Sequence, residues 1–147
     1  IVLDLQTIVS RHVNITEAPA IVTVGRFTGG NRSNIVPETV ELEGTIRAYN
    51  ESVRKNIHDR VRAIATHYAE AAGGTATVEI GRGTVYPVTI NDPALTGRML
   101  PTLLRVAGTD NVRLGPPVGV AEDFSFFQQK VPGLECWNNQ AVKAEPG

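Results

Sequence analysis

Hydrophobic and polar positions alternate most cleanly from Val40 to Arg47, where Val40, Leu42, Gly44 and Ile46 interleave with Glu41, Glu43, Thr45 and Arg47. A period of two sets one face against a core and leaves the other polar, so this run predicts a half-buried strand. Ahead of it, Ala20 to Phe27 is rich in β-branched residues and predicts a first strand, broken by Gly29-Gly30. The two strands are antiparallel candidates. Pro37 has no N–H to give a ladder and is expected at a bulge or a strand start. Counting alone therefore does not put Asn34 and Arg47 on one face.

Elsewhere the period is helical. Val2, Leu5, Ile8 and Val9 predict an opening helix that ends near Arg11-His12, where cations suit the negative end of the helix dipole. The strongest helix runs from Asn50 to Ala72, capped by Asn50 or Ser52, with Val53, Ile57, Val61, Ile64, Ala65, Tyr68 and Ala72 on one stripe and Gly73-Gly74 as its stop. Thr75 to Ile80 alternates again, and strand character resumes over Val85 to Ile90. Asp92 and Pro93 then start a helix with the stripe Leu95, Met99, Leu103 and Val106. Val112 to Val120 predicts a short buried strand. Glu122-Asp123 opens a last helix, with Phe124, Phe127 and Val131 apolar and Pro132-Gly133 closing it. The order of elements predicts an α/β protein, an α+β two-layer sandwich with both early helices on one sheet face. One module reaches to about residue 91, and a second, partial piece follows it.

Composition narrows the partners. The 147 residues carry 14 basic and 15 acidic side chains for a formal net charge of −1, which offers no footprint for nucleic acid or an anionic membrane surface. No apolar run approaches the roughly 20 residues that span a bilayer. The stretch from Ile1 to Val9 lacks the basic n-region and cleavage site of a signal peptide and reads as the body of a helix, so the chain is expected to be a segment of something larger. One cysteine, Cys136, excludes an intrachain disulfide framework and is compatible with a reducing compartment, so a cytoplasmic location is expected.

The chemistry-bearing residues are few. His12, His58 and His67 are the only histidines; His58 and His67 are nine apart, which at about 100° per residue points them to opposite sides of one helix rather than at one metal. No nucleophile elbow or Ser/His/Asp grouping stands out, Cys136 has no activating neighbour in sequence, and Gly29-Gly30 lacks the order of a phosphate-binding fingerprint. Glu122-Asp123 reads either as a carboxylate pair for acid–base work or as acids at a helix start. Asn34 and Arg47 also have two readings. Arg47 is shaped to grip a carboxylate bidentately and Asn34 offers a donor and an acceptor; alternatively, Asn34 satisfies a turn and Arg47 pairs with Glu41, Glu43 or a cross-strand acid.

A resemblance bears on that choice. Gly29-Gly30-Asn31-Arg32-Ser33-Asn34-Ile35-Val36-Pro37-Glu38, Leu42-Glu43-Gly44-Thr45-Ile46-Arg47, Tyr86-Pro87 with Asn91-Asp92-Pro93, and Ala121-Glu122-Asp123-Phe124-Ser125-Phe126-Phe127 with Val131-Pro132-Gly133 resemble, in order, the metal-dependent amidohydrolase and exopeptidase family. The nearest branch is that of hippurate hydrolases, N-acyl-amino-acid amidohydrolases and auxin-conjugate hydrolases. Leu5 to Arg11 resembles the first helix of that family's dimerisation, or lid, domain. The resemblance implies that residues 1–91 are a ferredoxin-like lid lacking its first strand, and that 92–147 return into a catalytic domain with a divergent tail. It implies cleavage of the amide bond of N-acyl amino acids or small peptides by the intact enzyme, with a divalent metal, zinc or manganese, activating the attacking water.

By the same resemblance Asn34, Arg47, Gly29 and Gly30 bind substrate, often across a homodimer, and Glu122 and Asp123 lie near the catalytic site without ligating metal. The family's His-x-Gly-His-Asp-like segment, its Glu-Glu pair and the later His-Ser-Pro-like segment have no counterpart here, and Thr28 stands where this branch commonly has histidine. The segment alone is therefore expected to hold no metal and to be inactive. The gap of the missing central strand is expected to be filled by another segment, such as the tail, or by a partner chain. A freestanding dimerisation module and a carboxylate-binding protein without catalysis are the alternatives.

Overall fold

The computed structural model describes residues 1–82, 85–115 and 118–136. It divides into two compact units, Ile1–Val88 with Pro117–Ala121 and Thr89–Pro116 with Glu122–Gly147, which are taken separately over their described residues.

In the first unit, helix α1 (Val2–His12) leads to strand β1 (Ala20–Gly29), strand β2 (Val40–Ala48) and helix α2 (Glu51–Ala71). The strands form an antiparallel hairpin in which Ala20 pairs with Ala48 and Gly29 with Val40. Leu5 and Ile8 from α1, Ala20 from β1 and Ile57 from α2 make the core, with Val22, Val24, Ile46, Ala48, Val53, Val61 and Ile64 packed around it. Ile8 and Ile57 are both 0% exposed, which fixes the two helices on one face of the hairpin and makes an α+β two-layer arrangement. Burying two such side chains contributes about 1.5–3 kcal/mol each.

Local chemistry explains the ends of α2. The Asn50 side chain accepts from the Ser52 and Val53 N–H groups at 2.8 and 3.2 Å, satisfying donors that a helix leaves unpaired. Gly73 adopts φ 77°, and Gly74 N–H returns to the Ala69 carbonyl at 2.8 Å. A left-handed glycine closed by such a backbone bond is a common helix stop.

The hairpin differs from the sequence expectation in its irregularity. The bulge is at Gly25, where the register shifts between Val24–Gly44 and Arg26–Glu43. Pro37 lies in the connection between the strands, outside the ladder, where its missing N–H costs no strand bond. The predicted strands over 75–80 and 85–90 do not form among the described residues. Ala76, Val78 and Ile80 are half-buried and alternate with exposed Thr75, Thr77 and Glu79, so the side chains keep a period of two without a hydrogen-bonded neighbour. The sheet is two-stranded over the described residues. The divergent tail beyond Cys136, named as one source of a further strand, lies outside them.

The second unit holds α3 (Pro93–Ala107), a 3-10 turn (Thr109–Asn111) and α4 (Phe124–Gln128). Asp92 caps α3 through a 2.7 Å bond from Leu95 N–H. Within the expected stripe Leu95 and Leu103 are half-buried, but Met99 and Val106 are exposed, Val106 to 78%, because no described element covers that part of the helix. The strand expected over 112–120 is likewise not formed among the described residues; Leu114 is fully exposed. α4 stops at Gln128, short of Val131; its buried side chain is Ser125, while Phe127 and, beyond the helix, Val131 are exposed. Ser125 Oγ donates to the Glu122 carbonyl at 2.6 Å, which lets a hydroxyl occupy the interior.

Candidate functional site

Arg47 stands near the C-terminal end of β2, paired across the hairpin with Ile21. Its guanidinium donates from Nη1 to the backbone carbonyl of Gly119. The acids that sequence reasoning offered it are engaged elsewhere. Arg26 bonds Glu43 at 2.5 Å and approaches Glu41 at 3.5 Å, while Arg82 reaches Glu41 at 3.4 Å. The bulge at Gly25 places Arg26 opposite Glu43 in the register. Arg47 therefore forms no ion pair among the described residues, and the acceptor it meets is a neutral carbonyl.

Asn34 is at the other end of the hairpin, exposed in the 30–39 connection, where Ile35 N–H bonds the Arg32 carbonyl at 3.4 Å. Seven residues of extended strand, roughly 23 Å, separate Val40 beside that connection from Arg47. One chain does not bring Asn34 and Arg47 together. The two glycines are shaped by their own hairpin. A β-carbon on Gly29 would meet Val40 Cγ2 at 2.7 Å, and Gly30 takes φ 75° beside the Pro37 ring. These features show why glycine is needed there whether or not a substrate approaches.

In the second unit Glu122 is half-buried and Asp123 exposed at the start of α4, and the Asp123 side chain makes no capping bond. Both raise the pKa of Glu135, after the larger effect of its own burial. Glu135 Oε2 is buried with no hydrogen-bond partner among the described residues. The backbone of Glu135 is held on both sides by Asn91: Nδ2 donates to its carbonyl at 3.0 Å and Oδ1 accepts its N–H at 2.8 Å. Gln128 Nε2 adds a bond to Asn91 Oδ1 at 3.3 Å, and its Oε1 accepts from Ile90 N–H at 3.0 Å. Sequence reasoning missed this amide pair. In the sequence Asn91 stands out only within the Asn91-Asp92-Pro93 run, and its partners are 37 and 44 residues away.

The implied divalent metal does not fit the donors in view. No group of three or more His, Cys, Asp or Glu side chains converges among the described residues. His58 lies half-buried on α2, where burial first, then Arg54 and Arg62, lowers its pKa and favours the neutral ring. Cys136 is exposed. No chemical step can be routed through a metal held by these residues. No helix over the described residues is long and apolar enough to cross a membrane.

Residues 8–72 match the family model described as a peptidase dimerisation domain. The chain is 35% identical over 136 residues to an N-acetyl-L-cysteine deacetylase of Bacillus subtilis, covering 90% of this chain and 31% of that protein. It is 32% identical over 136 residues to an N-acetyldiaminopimelate deacetylase of Oenococcus oeni, covering 92% of this chain and 35% of that one. A solved structure of an inferred aminohydrolase from methicillin-resistant Staphylococcus aureus superposes with a TM-score of 0.75 at 30% identity, over 89% of this chain and 33% of that chain. The chain thus spans about a third of the length of the relatives it matches.

Proposed function

We propose, from the match of residues 8–72 to the peptidase dimerisation domain family and the similarity to two deacetylases, that the chain is the recognition and pairing part of a metal-dependent amidohydrolase. In this reading residues 1–91 are the lid and 92–147 belong to the catalytic domain. Its substrate is an N-acyl amino acid or small peptide, in keeping with the acetylated amino acids named for two relatives. The same lid pairs two copies, Asn34 and the Gly29-Gly30 loop act with Arg47 at the substrate, and Glu122 and Asp123 lie near the chemistry. In the intact enzyme a divalent metal, zinc or manganese, would be held by groups other than the described ones and would serve to activate the attacking water.

The observation that carries the reading is that Arg47 has no ion pair among the described residues. A guanidinium held by a carbonyl, with nearby carboxylates already taken, retains donors for the carboxylate of an amino acid. Calorimetric titration with an N-acyl amino acid and its methyl ester tests this directly. The acid is expected to bind more tightly, and Arg47→Ala to remove that preference, a loss of roughly ten- to a hundredfold for a charge-assisted hydrogen bond. Equal binding of acid and ester by the unaltered chain would reject the reading. Hydrolysis of the same compound with zinc or manganese present separates an enzyme from the alternative of a carboxylate-binding or dimerisation module without catalysis.

A further inference from the structure

Gly119 is the acceptor that holds Arg47, and its surroundings explain why that position is bare. A β-carbon built on Gly119 would lie 2.8 Å from Tyr49 Oη, 3.6 Å from Tyr49 Cζ and 3.8 Å from Arg47 Cδ. Its backbone therefore rests directly on the hydroxyl end of Tyr49 and passes over the Arg47 stem. Arg47 is the next-to-last residue of β2 and Tyr49 is the first residue beyond it, in the bend that leads to α2. Tyr49 is half-buried and moves about only two torsions, so its ring is a stiff spacer between the strand and the Gly119 backbone.

We propose that Gly119 is a positioning residue for Arg47, with Tyr49 setting the clearance at which carbonyl and guanidinium meet, and that this arrangement presents the Nε–Nη2 edge of Arg47 to a ligand carboxylate. The guanidinium has five donors in a fixed fork. The Gly119 carbonyl takes one at Nη1, and the opposite edge keeps two parallel N–H groups, the pattern that receives a carboxylate bidentately. The carboxylate half of the inference rests on the proposed function; the hold on Arg47 does not.

The contact geometry supplies a suppressor test. Gly119→Ala puts a methyl against Tyr49 Oη, whereas Tyr49→Phe removes that oxygen and leaves Cζ at an ordinary contact distance. Guanidinium NMR of the full chain reads slowed rotation and solvent protection at Arg47. These are expected in the unaltered protein, lost in Gly119→Ala and restored in the Gly119→Ala/Tyr49→Phe double variant. Gly119→Val, too large for the space one oxygen vacates, is expected to lose them in both backgrounds. The preference for an N-acyl amino acid over its methyl ester should fall roughly two- to tenfold in Gly119→Ala, the cost of ordering one long side chain at binding, and recover in the double variant. An Arg47 signal unchanged by Gly119→Ala, or unrecovered with Tyr49→Phe, would overturn the positioning role. A signal that behaves as expected in a protein with no preference for the acid would overturn the carboxylate reading alone.

Discussion

Gly44, paired with Val24 in the hairpin, lies so close to the preceding Thr23 that a β-carbon on Gly44 would overlap the Thr23 carbonyl oxygen. That oxygen belongs to backbone in the ladder, so neither side can yield without moving a strand. Gly44→Ala is therefore expected to destabilise the first unit by about 1–3 kcal/mol, the range for forced overpacking. Urea unfolding followed by far-UV circular dichroism measures it, with Thr45→Ala, one position along the same strand, as the control expected to stay within about 0.5 kcal/mol.

At the start of α2, Asn50 is expected to contribute as a cap rather than as a surface amide. Its Oδ1 accepts from Ser52 N–H, Ser52 Oγ and Val53 N–H. Asn50→Ala should lower stability by about 0.5–2 kcal/mol and Asn50→Asp should largely retain it, because the acceptor survives and a negative charge suits a helix N-terminus. Denaturant midpoints of the two variants decide between cap and bystander.

These two sites mark how far the sequence could be read. The cap, the glycine stop at Gly73, the core stripe of α1 and the alternation through Leu42 and Ile46 are local patterns, and a local pattern survives folding. A strand is a property of a pair. Residues 75–80 keep their alternation but have no ladder among the described residues, so period alone overstated the sheet. Proline announces itself, so Pro37 is the residue that sequence marks for a bulge or a strand start, while the bulge is at Gly25, which gives no signal inside a β-branched run. Arg47 stood out by its chemistry, but its acceptor is 72 residues away and is a backbone carbonyl, which no side-chain pattern encodes.

In the second unit Asn91 is expected to tie the segment ending at Glu135 to the start of α3. Both of its amide atoms are used, so Asn91→Asp keeps the acceptor but loses the donor to the Glu135 carbonyl. The added charge also lies near the acids already affecting Glu135. Hydrogen exchange at the Glu135 amide should accelerate by roughly fivefold, corresponding to about 1 kcal/mol of lost hydrogen bonding, with a larger effect in Asn91→Ala, where the acceptor is gone as well. Unchanged exchange in Asn91→Ala would show that the amide pair does not hold this segment.

His58 gives the fold a dependence on pH. Burial, then Arg54 and Arg62, lowers its pKa below the ordinary 6.5, while Asp59 and Glu51 oppose this more weakly. The unfolded chain therefore binds the proton more readily, and stability rises with pH wherever it does so. The contribution is present in full above pH 6.5 and is lost as pH falls through that value toward the folded pKa. Asp59 and Glu51, whose pKa values are lowered from 3.8 and 4.5, act in the same direction but in a more acid window, lost as pH falls below those figures. Glu135 has the opposite sign: its raised pKa favours the protonated folded form, and stability is lost as pH rises above 4.5 through the folded value. Subtracting His58→Gln from the unaltered protein removes the carboxylates common to both. The difference in unfolding free energy is expected to be flat above pH 7 and to shrink on acidification from pH 6.5. A difference that grows on acidification would mean that the charged ring is the form the fold prefers, contrary to its burial beside two arginines.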